Sequence, residues 1–176
     1  MVNKVDWLMR KGLISKDDSF RNLSRKFLEK ARLNLTTMRL LYEFNQDKRA
    51  RDILKVPKDY NSDEWVVIAG YYAMYSAALS LIAKIGFRSK NHAATISLLD
   101  EFYVKKKLLH KGDLNIISNA SLKKEELESL SDARHKREIA QYSVTKQTTK
   151  TIAEKIKTEA YNFVNKCSEL IEINDR

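Results

Sequence analysis

The sequence predicts an all-α fold, an antiparallel helical bundle of four to five helices around an uncharged central helix. Three observations lead to this prediction. Apolar residues recur at steps of three and four through most of the 176 residues, which is the spacing of one helix face. Only four glycines and one proline interrupt the chain, too few for a turn-rich β-sandwich or barrel. Residues 65–83 contain no charged side chain, which is typical of a helix buried at the centre of a bundle.

The chain is expected to divide into an N-terminal extension, residues 1–19, and the bundle, residues 20–176. Residues 4–11 fit a short helix that stops at Gly12. Three polar residues are candidate N-caps of the next helix: Asp17, Asp18 and Ser19. That helix has one apolar face, which is formed by Phe20, Leu23, Phe27, Ala31, Leu35, Met38 and Tyr42.

The central helix follows a polar connection, residues 45–60, that leaves room for a short turn of helix. Asn61 and Glu64 have the spacing of a capping box, so the central helix should begin near Ser62. It should end at Gly86, because glycine readily takes the left-handed conformation that closes helices.

A third helix is expected from a cap at Ser89 or Asn91 to about Leu109, with Ile96, Leu99, Phe102 and Tyr103 inward. Residues 110–121 are expected to form a loop. The last two helices should run from about residue 122 to 140 and from about 148 to 173. In the last helix the inward residues are Ile152, Ile156, Phe163, Cys167 and Leu170. No segment predicts a β-strand.

Composition excludes several classes of site. The single cysteine, Cys167, rules out a disulfide framework and a cysteine-built zinc site, and its place on an apolar face indicates a core residue. The three histidines lack the close spacing of a helical metal motif. We therefore expect no metal and no cofactor. Residues 65–83 are long enough to span a bilayer, but their glycine, tyrosines and serines favour a buried helix of a soluble, cytoplasmic protein with no membrane partner.

Basic residues exceed acidic ones, 33 to 23, for a formal net charge of +10, and the excess lies mainly in residues 1–60. Such a field attracts nucleic acid or another polyanion without specifying it. Four arginines of the first long helix fall within a sector of about 40° and are candidate phosphate-backbone contacts: Arg21, Arg25, Arg32 and Arg39. Lys105 and Lys106 belong to a second basic cluster. The alternative for both groups is ordinary solvated surface.

The densest polar constellation lies in residues 132–142. Arg134 and Arg137 are three apart and so share a helix face, and Tyr142 lies just beyond them near the expected helix end. Arginine suits planar, bidentate phosphate contacts, so this helix end could hold a nucleotide or RNA phosphate. Intramolecular salt bridges to nearby carboxylates are the alternative.

Six segments stand in a characteristic order: FLEKARLNL at 27–35, AGYYAMYSAAL at 69–79, Gly86, KNH at 90–92, FYVK at 102–105 and ARHKREIAQY at 133–142. Together they resemble the signature of the HEPN superfamily, the nucleotide-binding domains of higher eukaryotes and prokaryotes, in its small prokaryotic branch. The resemblance covers about residues 20–172. It implies a helical bundle that forms a homodimer through the helices that carry the motif. It also adds His92 as a candidate nucleotide-binding or RNA-binding residue, with a core or helix-capping histidine as the alternative.

Many proteins of the superfamily are RNases of toxin–antitoxin or defence systems, and toxins of this kind are often encoded beside a minimal nucleotidyltransferase. Their catalytic pattern is an arginine followed, after four to six residues, by a histidine. Here neither Arg134 nor Arg137 has a histidine at that distance, and Gln141 stands where the family has Asp. Arginine is always protonated and a poor base, so we assign no catalytic residue.

The resulting prediction is a HEPN-type protein that binds a nucleotide or RNA phosphate, with a degenerate RNase motif and a link to a toxin–antitoxin or defence system. Two alternatives stay open. One is an active, metal-independent endoribonuclease toxin paired with a nucleotidyltransferase antitoxin. The other is a structural module that docks a nucleotidyltransferase partner.

Overall fold

A computed structural model describes residues 4–134 and 142–172, with the side chains of residue 123 and residues 125–149 excepted. The described chain is mainly α-helical, which confirms the predicted fold class. A 3-10 helix, Asp18–Asn22, precedes α2, and a π-helical turn, Asp100–Val104, follows α5. The remaining elements are α1 Lys4–Arg10, β1 Ile14–Lys16, α2 Leu23–Gln46, α3 Lys48–Ile53, α4 Asp63–Lys84, β2 Phe87–Ser89, α5 His92–Leu99, α6 Lys111–Arg134 and α7 Tyr142–Glu172.

The uncharged helix α4 forms the centre of the bundle, as predicted, and packs against α2, α6 and α7. It runs antiparallel to α2. The hydroxyl of Ser24, near the start of α2, donates to the Ser80 carbonyl at 2.9 Å, and the Ser62 hydroxyl donates to the Leu41 carbonyl near the end of α2 at 3.0 Å. By length and composition α4 could cross a membrane, yet 72% of its apolar window is buried. Such burial is typical of the core helix of a bundle.

The long helices α2, α4, α6 and α7 alternate in direction, so α4 and α7 run parallel. Lys84 at the end of α4 donates from Nζ to the carbonyl of Ile171 at 2.7 Å. Near the middle of α4, a Cβ built on Gly70 would lie 2.5 Å from Ile156 Cγ2 and 2.9 Å from Met38 Sδ. Glycine at this position therefore lets α2 and α7 approach the central helix closely.

A two-stranded antiparallel sheet corrects the expectation of no strand. β1 pairs with β2 in the register Ile14 with Ser89 and Lys16 with Phe87. The sheet is too short to give a periodic signal in the sequence. Beside it, α1 folds back against α5 and buries Val5. Residues 4–19 thus pack against the bundle that they precede.

Most predicted helix starts and stops in the first half of the chain are confirmed. Gly12 and Gly86 have φ of 63° and 77°. Asp17 caps the 3-10 helix, and the polar connection contains the short helix α3. The capping box is wrong in detail: Asn61 Oδ1 accepts from the Asp63 N–H at 2.6 Å, one residue before Glu64.

The third helix is shorter than predicted, because α5 changes to π-helix at Asp100 and ends before the lysine cluster. The predicted loop 110–121 is wrong, since α6 begins at Lys111. The Asp113 carboxylate accepts from the His110 N–H at 2.8 Å and closes the helix start, so Gly112 is tolerated in its first turn. Leu114, Ile117 and Ala120 are buried at helical spacing.

The last helix also begins earlier than predicted, at Tyr142 instead of Thr148. Of its predicted inward residues, Ile156, Phe163 and Cys167 are buried, and Ile152 and Leu170 are half-buried. Burial raises the pKa of the Cys167 thiol, as expected of a core residue. The predicted end of the fourth helix at residue 140 lies outside the described residues.

Candidate functional site

An aromatic cluster joins the middle of α4 to the start of α5, and it contains Tyr71, Tyr75 and His92. The His92 ring stacks on Tyr75 with ring centroids 4.2 Å apart and lies 5.6 Å from the ring of Tyr71. The Tyr71 hydroxyl is 2.8 Å from Nδ1 and 2.9 Å from Nε2 of His92, so it can pair with the nitrogen that either tautomer presents. His92 is half-buried and Tyr71 is 2% exposed.

The local sequence explains why these rings meet. Tyr71 and Tyr75 are four apart on α4, so they lie one above the other on one helix face. After α4, Gly86 turns the chain back into β2, and Asn91 then caps α5 by accepting from the Ala94 N–H at 2.8 Å. His92 is therefore the first residue of α5 and faces the two tyrosines. Because Asn91 supplies the cap, His92 is not needed for that role.

A chain of hydroxyl groups fixes the Tyr75 side of the cluster. The Tyr75 hydroxyl lies 3.4 Å from Thr95 Oγ1, and that oxygen lies 2.6 Å from the Ser89 hydroxyl. Thr95 is fully buried and also donates to the Asn91 carbonyl at 3.1 Å. These contacts leave the rings little freedom to rotate, so the cluster is a preorganised surface.

A cation covers the cluster from α6. Lys124 Nζ lies 5.6 Å from the ring centroid of Tyr71 and 5.5 Å from that of Tyr72, which are cation–π distances. Tyr72 is 42% exposed. A half-buried imidazole beside aromatic rings and an ammonium group can donate to a phosphate and stack on a base.

The predicted site at the α6–α7 connection is described only in part. Arg134 is the last described residue of α6, and its side chain lies outside the description, as does the whole of Arg137. Tyr142 is the first residue of α7. Ten residues of helix, about 15 Å, separate Lys124 from Arg134. The α6 backbone thus separates the His92 cluster from the arginine end.

Two of the four predicted arginines hold other parts of the protein, and one of these, Arg21, lies in the 3-10 helix before α2 and not in α2 itself. Arg21 pairs with Asp18 at 3.0 Å and donates to the Lys84 carbonyl at 2.8 Å. Arg32 pairs with Glu172 of α7 at 3.1 Å. A groove of about 270 Å³ lies between α2 and α7, lined by Arg25, Leu28, Glu29, Arg32, Ile171 and Glu172. Its charges are of both signs, and Arg39 lies exposed farther along α2.

The predicted lysine cluster lies after the π-helical turn. Lys105 donates to Glu101 at 2.5 Å, and this hydrogen bond raises the pKa of the Lys105 ammonium. Lys106 Nζ lies 5.9 Å from the ring centroid of Phe102. Among the described residues, no group of three His, Cys, Asp or Glu side chains is placed to hold a metal ion.

Sequence reasoning named His92 but missed its neighbours, the two tyrosines, Thr95 and Lys124. Tyrosines four apart on an uncharged helix were the available signal for the aromatic partners. Nothing local in the sequence pairs Lys124 with them, because that contact depends on the course of α6. Comparison with known proteins adds no family assignment: no protein-family model matches the chain, and no curated protein matches it significantly.

Proposed function

We propose that this chain is a HEPN-type protein of the cytoplasm that binds a nucleotide or an RNA phosphate. In this proposal it acts as a homodimer, within a toxin–antitoxin or other defence system, and its RNase motif is degenerate. His92 and its aromatic neighbours form one part of the binding surface. Arg134, Arg137 and Tyr142 form the other part, on the basis of the sequence.

The observation that carries the proposal is the preorganised cluster around His92. Its imidazole is held by the Tyr71 hydroxyl and by stacking on Tyr75, yet it is only half-buried. Lys124 adds a positive charge over the neighbouring rings. A donor, stacked rings and a cation on one surface suit a phosphate that is attached to a base.

The degenerate motif argues for binding over cleavage. A general base near the scissile phosphate would have to accept a proton at neutral pH, and guanidinium groups do not. Tyrosine, with an ordinary pKa near 10, is also a poor base at that pH. His92 belongs to a different segment from the two arginines and does not restore the missing spacing.

The test is incubation of the purified protein with end-labelled single-stranded RNA, with binding and cleavage scored together. We expect binding without cleavage. Replacement of both arginines, Arg134→Ala with Arg137→Ala, should weaken binding about 25-fold at 0.1 M salt, because removal of one phosphate-binding cation lowers affinity roughly fivefold there. His92→Gln should weaken it about 10-fold, the effect of one hydrogen bond to a charged group.

His110→Gln is the matched control, because His110 is an exposed histidine before α6, away from the cluster. Thermal melting of each variant separates a binding defect from unfolding. Cleavage that Arg137→Ala abolishes would replace the proposal with an active endoribonuclease. Absence of binding to both RNA and mononucleotides would refute the proposal outright.

One observation favours the docking alternative. Leu33 and Leu40 are seven residues apart on the outer face of α2, and they are 69% and 56% exposed. Exposed leucines at heptad spacing form a seam that a partner helix can cover. Co-purification with an encoded nucleotidyltransferase, abolished by Leu33→Glu with Leu40→Glu, would support this second function.

A further inference from the structure

The N-terminal residues build a cationic surface together with β2, and this surface is absent from the sequence pattern. α1 ends at Arg10, and Gly12, with φ of 63°, turns the chain into β1. The pairing of β1 with β2 then places Arg88 opposite Ser15 and brings Lys90 beside the turn that follows Arg10 and Lys11. We call these four basic residues the N-terminal cationic surface.

Backbone contacts fix the two halves of this surface against each other. The Lys90 N–H donates to the Leu13 carbonyl at 2.9 Å. Lys90 Nζ lies 3.9 Å from the position that a Cβ on Gly12 would occupy, so its ammonium group lies over the turn after α1. Arg88 and Lys90 are two apart in extended chain and so point to the same side of the sheet.

The four charges of this surface are available to a ligand. All four side chains are exposed, and within the part of the chain that the structure describes none of them has an ion pair or a side-chain hydrogen bond. Residues 84–92 contain three basic side chains and no acidic one. Cations that lie close together without acidic partners repel one another, which raises the electrostatic free energy of the free protein. Binding of an anionic partner removes this repulsion.

An exposed aromatic ring accompanies the charges. Trp7 is 48% exposed and precedes Arg10 and Lys11 by three and four residues, so the three share one face of the turn that ends α1. On the other side, Lys90 is followed after one residue by His92 of the aromatic cluster. The β2 half of the surface therefore directly precedes the proposed nucleotide site along the chain.

We infer that the N-terminal cationic surface binds the phosphate backbone of single-stranded RNA, with Trp7 as a stacking platform for one base. The inference rests on the proposed function and extends it. An open row of cations beside exposed rings suits a strand whose phosphates follow one another and whose bases are free to stack. Residues 4–16 thus contribute to ligand binding as well as to packing.

The test compares two variants that lose the same charge. The first removes the surface: Arg10→Gln, Lys11→Gln, Arg88→Gln and Lys90→Gln. The control removes four exposed cations of α2 and α3: Lys26→Gln, Lys30→Gln, Lys48→Gln and Arg49→Gln. RNA affinity is measured across a salt series. For the first variant we expect affinity to fall about 600-fold at 0.1 M salt and the salt slope to fall by about 3, since each single-strand phosphate contact contributes about 0.7.

A second readout uses fluorescence. With Trp65→Phe, Trp7 is the sole tryptophan of the chain, and RNA should quench its emission on binding. This measurement needs no change in the cationic residues, so it tests the surface in a protein that keeps all of its charges.

The outcomes separate this inference from the proposed function. If the native protein binds RNA but both four-site variants lose affinity equally, or if Trp7 emission is unchanged when RNA is bound, the inference is wrong and the proposed function stands. If the native protein binds no RNA, both fail. Binding to vesicles of anionic phospholipid in place of RNA would assign the surface to a membrane instead.

Discussion

Two positively charged regions of this protein differ in what their charges do. Of the arginines predicted to share one face of the first long helix, Arg21 lies in the 3-10 helix before α2 and pairs with Asp18, and Arg32 of α2 pairs with Glu172. On the N-terminal cationic surface, Arg88 and Lys90 have no such pair within the described residues. The predicted arginine face, which has the clearer sequence pattern, thus has fewer charges available to bind a ligand. A count of basic residues along one helix does not measure the field that a ligand meets.

The difference follows from what each region packs against. α2 lies beside α7, whose last described turn supplies Ser168 and Glu172 to Arg32. The N-terminal surface lies at a two-stranded sheet whose own residues contain no acid between Lys84 and His92. Charges at helix–helix boundaries find partners because both helices carry polar flanks, whereas the sheet leaves its charged side chains exposed.

Both regions are carried by the same helical bundle, and we expect substitution of Gly70 to lower the stability of that bundle. In Gly70→Ala the new methyl group would meet Ile156 Cγ2 and Met38 Sδ at distances that require these side chains, or the helices that carry them, to shift. We expect the free energy of unfolding, measured by urea denaturation, to fall by about 1–2 kcal/mol, since overpacking outweighs the helix propensity gained.

Gly112→Ala is the control for this substitution, because a Cβ there has no neighbour within 4 Å. It should leave stability unchanged or raise it by up to about 1 kcal/mol. If Gly70→Ala and Gly112→Ala changed the free energy of unfolding equally, the close approach of three helices at Gly70 would not contribute to the stability of the bundle.

A smaller effect distinguishes the two charged regions directly. Arg32→Gln should lower the free energy of unfolding by about 0.5–1 kcal/mol, because its ion pair with Glu172 is mostly exposed, and should leave RNA affinity within twofold. Lys90→Gln should do the reverse, with unchanged stability and RNA affinity reduced about fivefold at 0.1 M salt. Urea denaturation and RNA titration of the same samples provide both values. Equal effects on RNA affinity would remove the distinction.

The fold was predictable where the residues of a single helix form a pattern that can be recognised without knowledge of its tertiary contacts. The uncharged stretch of α4, the apolar face of α2 and the glycines that end α1 and α4 are all local patterns, and the structure confirms each of them. The predictions failed where tertiary contacts decide. Gly112 suggested a loop, but the Asp113 cap and burial of Leu114 support a helix there. The sheet depends on residues that are about seventy-five apart in sequence.

The candidate site shows the same limit. The resemblance to a known motif identified His92 as a candidate residue. Its stacking on Tyr75 could not be predicted, because it depends on α4 and α5 lying side by side. The cationic surface was not predicted, because only the pairing of β1 with β2 brings Lys90 to the turn after α1. The binding role of the α6–α7 connection stays a prediction from the sequence; its residues are Arg134, Arg137 and Tyr142.

The most direct measurement of the central claim is ultraviolet cross-linking of single-stranded RNA to the native protein, followed by identification of the modified peptides. We expect adducts in residues 5–16 and 85–92, where Trp7, the cationic side chains and His92 lie. Adducts confined to α2, residues 23–46, would contradict this account, as would the absence of any RNA adduct.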